Sequence, residues 1–236
     1  SICKDGRYQK VDDKKQIARY ISRFASQCWF TKNKQTQRVR LTSGRVNDII
    51  QQLSFLDGVY LRPSQAAPYS LDGSVDPQNI IACQNCLVDR ITRKTYPVSD
   101  KFYTFNYLPY DYDADAISEK WGHFLVDVTD GDPELMRLLQ TWCGYLLMPT
   151  TKYQKFLLCV GEGANGKFVF FDTVAAAVGK DNVSNVPLEA FSDPYKVFAT
   201  YGKVVNMSNE STQTLEAAAE SIIKEFVGGD KMLWEQ

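Results

Sequence analysis

Residues 156–168 read FLLCVGEGANGKF, and this stretch decides how the second half of the chain is interpreted. Its first five residues are all apolar, which is typical of a strand buried on both faces of a parallel sheet. Glycines follow at Gly161, Gly163 and Gly166, and residues 169–178 are helix-like. The order of strand, glycine loop and helix predicts an α/β layer around this loop.

The glycine loop has the spacing of the phosphate-binding pattern G-x-x-x-x-G-K-[ST]. Gly161, Gly166 and Lys167 occupy its fixed positions. Glycines let the backbone turn tightly, so that successive N–H groups point at one anion, and the following helix adds its positive end. The Lys167 ammonium would reach the β- and γ-phosphates; the alternative is a surface turn with a chance lysine. The residues predicted to bind nucleotide are Gly161, Glu162, Gly163, Ala164, Asn165, Gly166, Lys167 and Phe168.

Phe168 breaks this pattern, because a Ser or Thr hydroxyl is expected there to bind Mg²⁺. A phenyl ring supplies no oxygen, so Mg²⁺ would depend on phosphates, water and an acid elsewhere. The sequence leaves three outcomes open: the loop binds ATP weakly, binds it without efficient turnover, or has lost the ligand.

A phosphate loop also needs an acid at the end of a neighbouring strand, where it holds Mg²⁺ through water and polarises the attacking water. Strands are predicted over 182–187 and 203–208, and the second leads to Asn209 and Glu210. Glu210 is therefore the candidate catalytic acid. Asn209 stands where a first acid is expected, so a single carboxylate remains.

The first half predicts an α+β arrangement. Ile17, Tyr20, Ile21 and Phe24 have helical spacing within residues 11–30. Asp132, Pro133 and Glu134 suit the start of a helix that runs to about Leu147. Further predictions are a strand over 36–41, a loop over 62–79, and helices from 43 to near Asp57-Gly58, over 119–126, and over 215–227. A break near residue 150 predicts two domains, 1–150 and 151–236.

Charge is divided unevenly along a chain whose net charge is −1. Residues 1–65 carry 13 Lys/Arg and 5 Asp, which gives +8, and the remaining 14 Lys/Arg and 23 Asp/Glu give −9. A basic end favours contact with a polyanion, most commonly nucleic acid, and a solvated basic face is the alternative.

Composition excludes several classes of protein. The 13% aromatic content argues against overall disorder, and no apolar run approaches the ~18 residues of a membrane span. Six cysteines include one C-x-x-C pair, Cys83 and Cys86, but the chain has a single histidine, His123, so no zinc site is predicted. Without a secretory signal we expect reduced, buried thiols and a cytoplasmic protein. Because the chain begins at Ser1, we expect it to be a fragment.

Further motifs surround the loop in order and in proportion. Downstream are NVSNVPLEAF (182–191), GKVVNMSNE (202–210) and IKEFVGGD (223–230). Upstream are NCLVD (85–89), FNYLPYDYDADA (105–116), GDPE (131–134) and LQTWCGY (139–145). Residues 80–230 thereby resemble the superfamily 3 DNA helicases, and in particular the phage and plasmid primase–helicases with their poxvirus-type NTPase relatives.

This resemblance implies an α+β N-terminal accessory domain followed by a partial, AAA+-like P-loop core. The parent would be an ATP-dependent helicase of a phage, prophage or plasmid that assembles into a hexameric ring on DNA during replication. Gly161 to Lys167 would be Walker A, with Lys167 and Glu210 catalytic, and Asn165 matches the family's usual asparagine. The later sensor asparagine and arginine finger would follow residue 236, so we expect this chain to be a poor ATPase. The alternative is a non-catalytic DNA-binding or oligomerisation module with a degenerate nucleotide site.

Overall fold

The computed structural model describes residues 2–9, 11, 13–32, 34–53, 55–56, 67–161, 163, 165–208 and 217–228. Contacts within the chain divide it into two compact units. The first unit is Ser1–Leu71 with Ser99–Phe105, and the second is Asp72–Val98 with Asn106–Gln236. Residues on both sides of position 150 belong to the second unit. The predicted boundary at residue 150 is a different one, because it marks where the ATPase core would begin. It stays a prediction.

Short antiparallel strands and two helices form the first unit. Strand β1 (Ile2–Lys4) pairs with β2 (Arg7–Gln9), and β3 (Trp29–Lys32) pairs with β4 (Gln35–Arg38). Helix α1 (Lys14–Ala25) packs against α2 (Ser43–Leu53), and each buries one residue of its apolar face, Ala25 and Val46. Strand β5 (Tyr69–Ser70) pairs with the later strand β9 (Phe102–Tyr103).

The helical spacing within 11–30 is confirmed only in part. The Asp13 side chain accepts a hydrogen bond from the Lys15 amide at 2.8 Å and caps the start of α1. The helix ends at Ala25, and Trp29 and Phe30 instead belong to β3. Aromatic and β-branched residues favour a strand once a turn interrupts the helix.

The second unit contains a three-stranded antiparallel sheet followed by helices. The sheet is formed by β6 (Ile80–Ala82), β7 (Cys86–Asp89) and β8 (Thr95–Pro97). The helices are α3 (Glu119–Val128), α4 (Pro133–Leu146), α5 (Lys167–Val178), α6 (Pro194–Val197) and α7 (Ala217–Gly228). Strands β10 (Val183–Ser184) and β11 (Val205–Asn206) pair in parallel.

Local capping signals in this unit are confirmed. Asp132 accepts hydrogen bonds from the amides of Glu134 and Leu135 at 2.8 and 3.2 Å, so α4 begins where the sequence predicts. Helix α5 begins at Lys167, two residues before its predicted start, and ends before Gly179, whose φ is +92°. Only a glycine adopts that backbone conformation at low cost. The mixture of helices and antiparallel strands agrees with the predicted α+β N-terminal domain.

The apolar run before the glycine loop departs from its prediction. No strand is assigned over 156–160, and Phe156, Leu158 and Val160 are 65%, 68% and 86% exposed. Leu157 packs against the core of Leu146, Phe170, Val174 and Val178. The prediction of a strand buried on both faces is therefore wrong. Among the described residues no strand pairs with this run, so only alternate side chains are covered.

In the part of the chain that the structure describes, no helix has both the length and the apolar character that crossing a bilayer requires.

Candidate nucleotide site

The glycine loop is closed by its own lysine. Lys167 Nζ donates hydrogen bonds to the Gly161 carbonyl oxygen at 2.7 Å and to Asn165 Oδ1 at 2.8 Å. One side chain thereby joins the two ends of the loop, so the loop is curved rather than extended. The positive charge also acts on Cys159: burial raises the pKa of this thiol, and the Lys167 ammonium lowers it in part.

Two glycines of the phosphate-binding pattern have a packing reason to be glycine. Gly166 has φ +80°, and a Cβ built on it would lie 2.6 Å from Val128 Cγ1 and 3.3 Å from Phe124 Cε2. A Cβ on Gly161 would overlap Asn165 Nδ2. Side chains of α3 therefore contact the start of α5, and neither Gly161 nor Gly166 has space for a side chain.

The start of α5 provides a positive electrostatic potential. Gly166 is its N-cap and offers no side-chain hydrogen bond, and the first turn contains no acidic residue. The helix dipole places about half a positive charge at this end, and Lys167 adds a full one at the first helical position. A cation there is locally unfavourable, so an anion bound at this end would stabilise the arrangement.

Phe168 lies on the surface beside this helix start. Its side chain is 74% exposed, and it lines a shallow cavity with Phe171, Ala175 and Met207. Asp172 and Lys180 form an exposed ion pair, 3.7 Å long, at the same cavity. The ring supplies no oxygen, so the described part of the loop offers Mg²⁺ no hydroxyl ligand.

Four predicted site residues lie outside the described residues: Glu162, Ala164, Asn209 and Glu210. Their assignments stay predictions. Strand β11, which precedes the last two of them, is nevertheless well fixed. Asn206 Oδ1 accepts from Ser184 Oγ and from the Val186 amide, and its Nδ2 donates to the Val186 carbonyl, all at 2.9 Å.

Asn182 is a second amide that the sequence analysis missed. It is buried, and its Nδ2 donates to the carbonyls of Tyr107 and Val178 at 3.1 and 2.8 Å, while its Oδ1 accepts from Asn106 Nδ2 at 3.0 Å. These bonds join the end of α5 to the segment after the sheet. No spacing signal exists for the bonds to Tyr107 and Asn106, because these partners are distant in sequence.

Trp121 and Trp142 both pack against other aromatic rings. The Trp121 ring stacks on Phe124 and Phe170, with centroids 5.3 and 5.9 Å apart, beside the core of α4 and α5. Trp142 contacts Tyr145 edge to face at 5.5 Å. Both tryptophans therefore contribute to the packing of this core.

The C-x-x-C pair forms a tight hairpin rather than a reactive site. The Cys83 amide donates to the Cys86 carbonyl at 2.8 Å, and Cys83 is buried with Val88 and Leu108. Burial, aided by Cys86 and Asp111, raises the Cys83 pKa to about 11. All six cysteines are unpaired thiols. Among the described residues, no three His, Cys, Asp or Glu side chains group where a metal ion could bind.

Comparison with known protein families gives a match for the first half of the chain. Residues 4–130, more than half of the chain, match the family model described as D5 N terminal like. The chain belongs to this family. The D5 N-terminal-like domain is the N-terminal domain of D5-like primase-helicase proteins, so the chain is a primase-helicase-like replication protein. No curated protein matches the sequence.

The family match supports the predicted resemblance to primase-helicase proteins and carries it upstream of residue 80. The motifs at 85–89 and 105–116 fall inside the match, which also reaches back to residue 4. The loop at 161–167 lies beyond its end at residue 130. The nucleotide site therefore rests on its own geometry.

Proposed function

We propose that this chain is part of an ATP-dependent DNA helicase of the primase–helicase type, and that its glycine loop binds the triphosphate of ATP. The observation that carries the proposal is Lys167, whose ammonium bridges Gly161 and Asn165 at the start of α5. Membership of a primase-helicase family supports it independently, because that match rests on other residues.

The loop's chemistry fits a bound polyphosphate. Phosphate oxygens would replace the Gly161 carbonyl and the Asn165 amide as acceptors for Lys167 Nζ, and charge-assisted hydrogen bonds of this kind are the stronger ones. The first-turn amides of α5 and its dipole would add further favourable terms. By resemblance, Glu210 would orient and polarise the attacking water, and ring assembly on DNA would complete the site between subunits.

Mg²⁺ fits the loop less well. The position that should supply a hydroxyl is Phe168, so no protein oxygen of the described loop is assigned to the ion. This feature favours the second candidate function, a non-catalytic DNA-binding or oligomerisation module that retains a degenerate nucleotide site.

Binding of a fluorescent ATP analogue to the full chain tests the proposal, with and without Mg²⁺. We expect Lys167→Ala to weaken binding at least about tenfold, because hydrogen bonds to a charged group contribute ~1.5–3 kcal/mol. Lys155→Ala is the matched control, since Lys155 is an exposed lysine before the loop, and it should bind as the wild type does.

Phe168→Ser separates the two candidate functions. If the loop descends from a working ATPase site, the restored hydroxyl should strengthen binding specifically in the presence of Mg²⁺. If neither the wild type nor Phe168→Ser binds the analogue while circular dichroism shows both folded, the helicase assignment is rejected for this chain. The non-catalytic module then remains.

A further inference from the structure

The β3–β4 hairpin is exposed on both of its faces. All eight of its strand residues are exposed, and its two large aromatic side chains, Trp29 and Phe30, are 59% and 44% exposed. Fully burying a ring of this size stabilises a protein by ~1.5–3 kcal/mol, and each of these two rings gains only part of that. Neither residue is therefore explained by the core of its own unit.

One face of the hairpin combines an aromatic ring with a cation and two hydroxyls. The register places Trp29 opposite Arg38 and Thr31 opposite Thr36, and opposed residues share a face. The Arg38 guanidinium carbon lies 5.0 Å from the centre of the Trp29 ring. Thr31 Oγ1 and Thr36 Oγ1 are 3.1 Å apart. The indole is thus held in a defined position on a polar, positively charged surface.

The opposite face repeats this composition. Phe30 lies opposite Gln37, and Lys32 lies opposite Gln35. Each face therefore carries one aromatic ring, one cation and neutral groups that can donate and accept hydrogen bonds.

The surrounding segment is strongly basic. Residues 14–47 contain nine Lys/Arg and no Asp/Glu. Within this segment the sequence offers no acidic residue to balance the nine cations. Such a concentration of positive charge favours a partner with many negative charges.

We propose that the β3–β4 hairpin binds single-stranded DNA, with Trp29 stacking on a base and Lys32, Lys34 and Arg38 contacting phosphates. Single strands present unpaired bases, whose π-faces stack on aromatic side chains, next to a charged backbone. In a duplex the bases are already stacked on each other, so an exposed indole gains less. The inference deepens and rests on the proposed function, since a helicase must hold one strand, but the residues that carry it are not those of the nucleotide loop.

Fluorescence anisotropy of a labelled oligothymidylate, titrated with the full chain in the absence of nucleotide, tests the inference. We expect Trp29→Ala to weaken binding by at least about fivefold, the lower end of one lost base–aromatic stack. Trp29→Phe should retain most of the affinity, because a phenyl ring can still stack. Tyr195→Ala, at an exposed aromatic residue of the second unit, should leave the affinity unchanged.

Salt dependence tests the phosphate contacts. Binding to single strands weakens with salt by a log–log slope of about −0.7 for each phosphate neutralised. The triple variant Lys32→Ala, Lys34→Ala, Arg38→Ala should therefore show a shallower slope, whereas Lys155→Ala should keep the wild-type slope.

Three results would overturn the inference. The first is equal loss of affinity in Trp29→Ala and Tyr195→Ala, and the second is tighter binding of the duplex than of the single strand. The third is a Trp29→Ala variant that loses binding to phosphatidylserine vesicles but keeps binding to DNA, which would assign the hairpin to a membrane surface. ATP binding must be unchanged in Trp29→Ala, and DNA binding unchanged in Lys167→Ala, so this inference and the ATP-site proposal fail separately.

Discussion

The molecule contains two antiparallel hairpins of similar length, β6–β7 and β3–β4, whose surroundings differ completely. In β6–β7 the side chains of Ile80, Ala82, Leu87 and Val88 are buried, and β8 adds a third strand. In β3–β4 every strand residue is exposed, and no third strand joins among the described residues. Both hairpins have the same kind of antiparallel backbone hydrogen bonding, so the backbone does not distinguish a structural hairpin from a binding one. The burial of the side chains distinguishes them.

Truncating an apolar residue in each hairpin should show the largest difference in stability between the two. Leu87→Ala should lower the free energy of unfolding by ~2–5 kcal/mol, because Leu87 is buried and a cavity would remain. Phe30→Ala removes a larger side chain but should cost less, on the order of 1 kcal/mol, since the ring is only partly buried and leaves no closed cavity. Urea unfolding followed by circular dichroism measures both. Equal costs would mean that β3–β4 is buried against part of the chain in solution.

Two glycines differ in the same way as the two hairpins, one being surrounded by neighbours and the other open to solvent. Gly166 and Gly73 both have positive φ, +80° and +68°, but only Gly166 has neighbours that an added Cβ would meet. Replacement by Ala should cost ~1–2 kcal/mol at each position for the left-handed backbone. Gly166→Ala should cost a further ~1–3 kcal/mol for the clash with Val128, as measured by urea unfolding. If Gly73→Ala costs as much, the start of α5 is not pressed against α3.

The buried hairpin should also protect its thiol. Burial raises the Cys83 pKa from about 9 to about 11, so the stability that comes from a neutral thiol is complete below pH 9 and is lost as the pH rises towards 11. At pH 9 we expect iodoacetamide to alkylate native Cys83 on the order of fifty times more slowly than the urea-unfolded chain, from the thiolate fractions alone. Mass spectrometry of the modified peptide measures this. Comparable rates in the two states would show that the β6–β7 turn is open.

Features that depend on neighbours in the sequence could be predicted. Asp132 caps α4, and the spacing of Gly161, Gly166 and Lys167 anticipates the loop that one lysine closes. Helix caps and glycine turns act over a few residues, so their chemistry can be read from a short stretch.

Features that depend on segments distant in the sequence could not be predicted. The run at 156–160 gave no periodicity to distinguish a fully buried strand from one covered on alternate residues, because burial is decided by which segments lie beside it. The hydrogen bonds of Asn182 to Tyr107 and of Asn206 to Val186 join segments that are 20 or more residues apart, and nothing in the sequence marked them. Tyr20 and Phe24 supported a helix up to Phe30, although the chain turns after Ala25 to begin the hairpin.

The smallest expected effect concerns the exposed hairpin alone. Thr31→Ala removes the cross-strand contact with Thr36 Oγ1, and pairs of this kind contribute ~0.2–1 kcal/mol. No buried contact of the hairpin compensates for this loss, so even a small change should make the β3–β4 pairing and the position of Trp29 less well defined. The midpoint of global unfolding should stay unchanged. Amide hydrogen exchange should show faster exchange confined to residues 29–38, and Thr92→Ala in the loop before β8 is the control that should leave these amides unaffected. Unchanged exchange at 29–38 would mean that other contacts hold the hairpin.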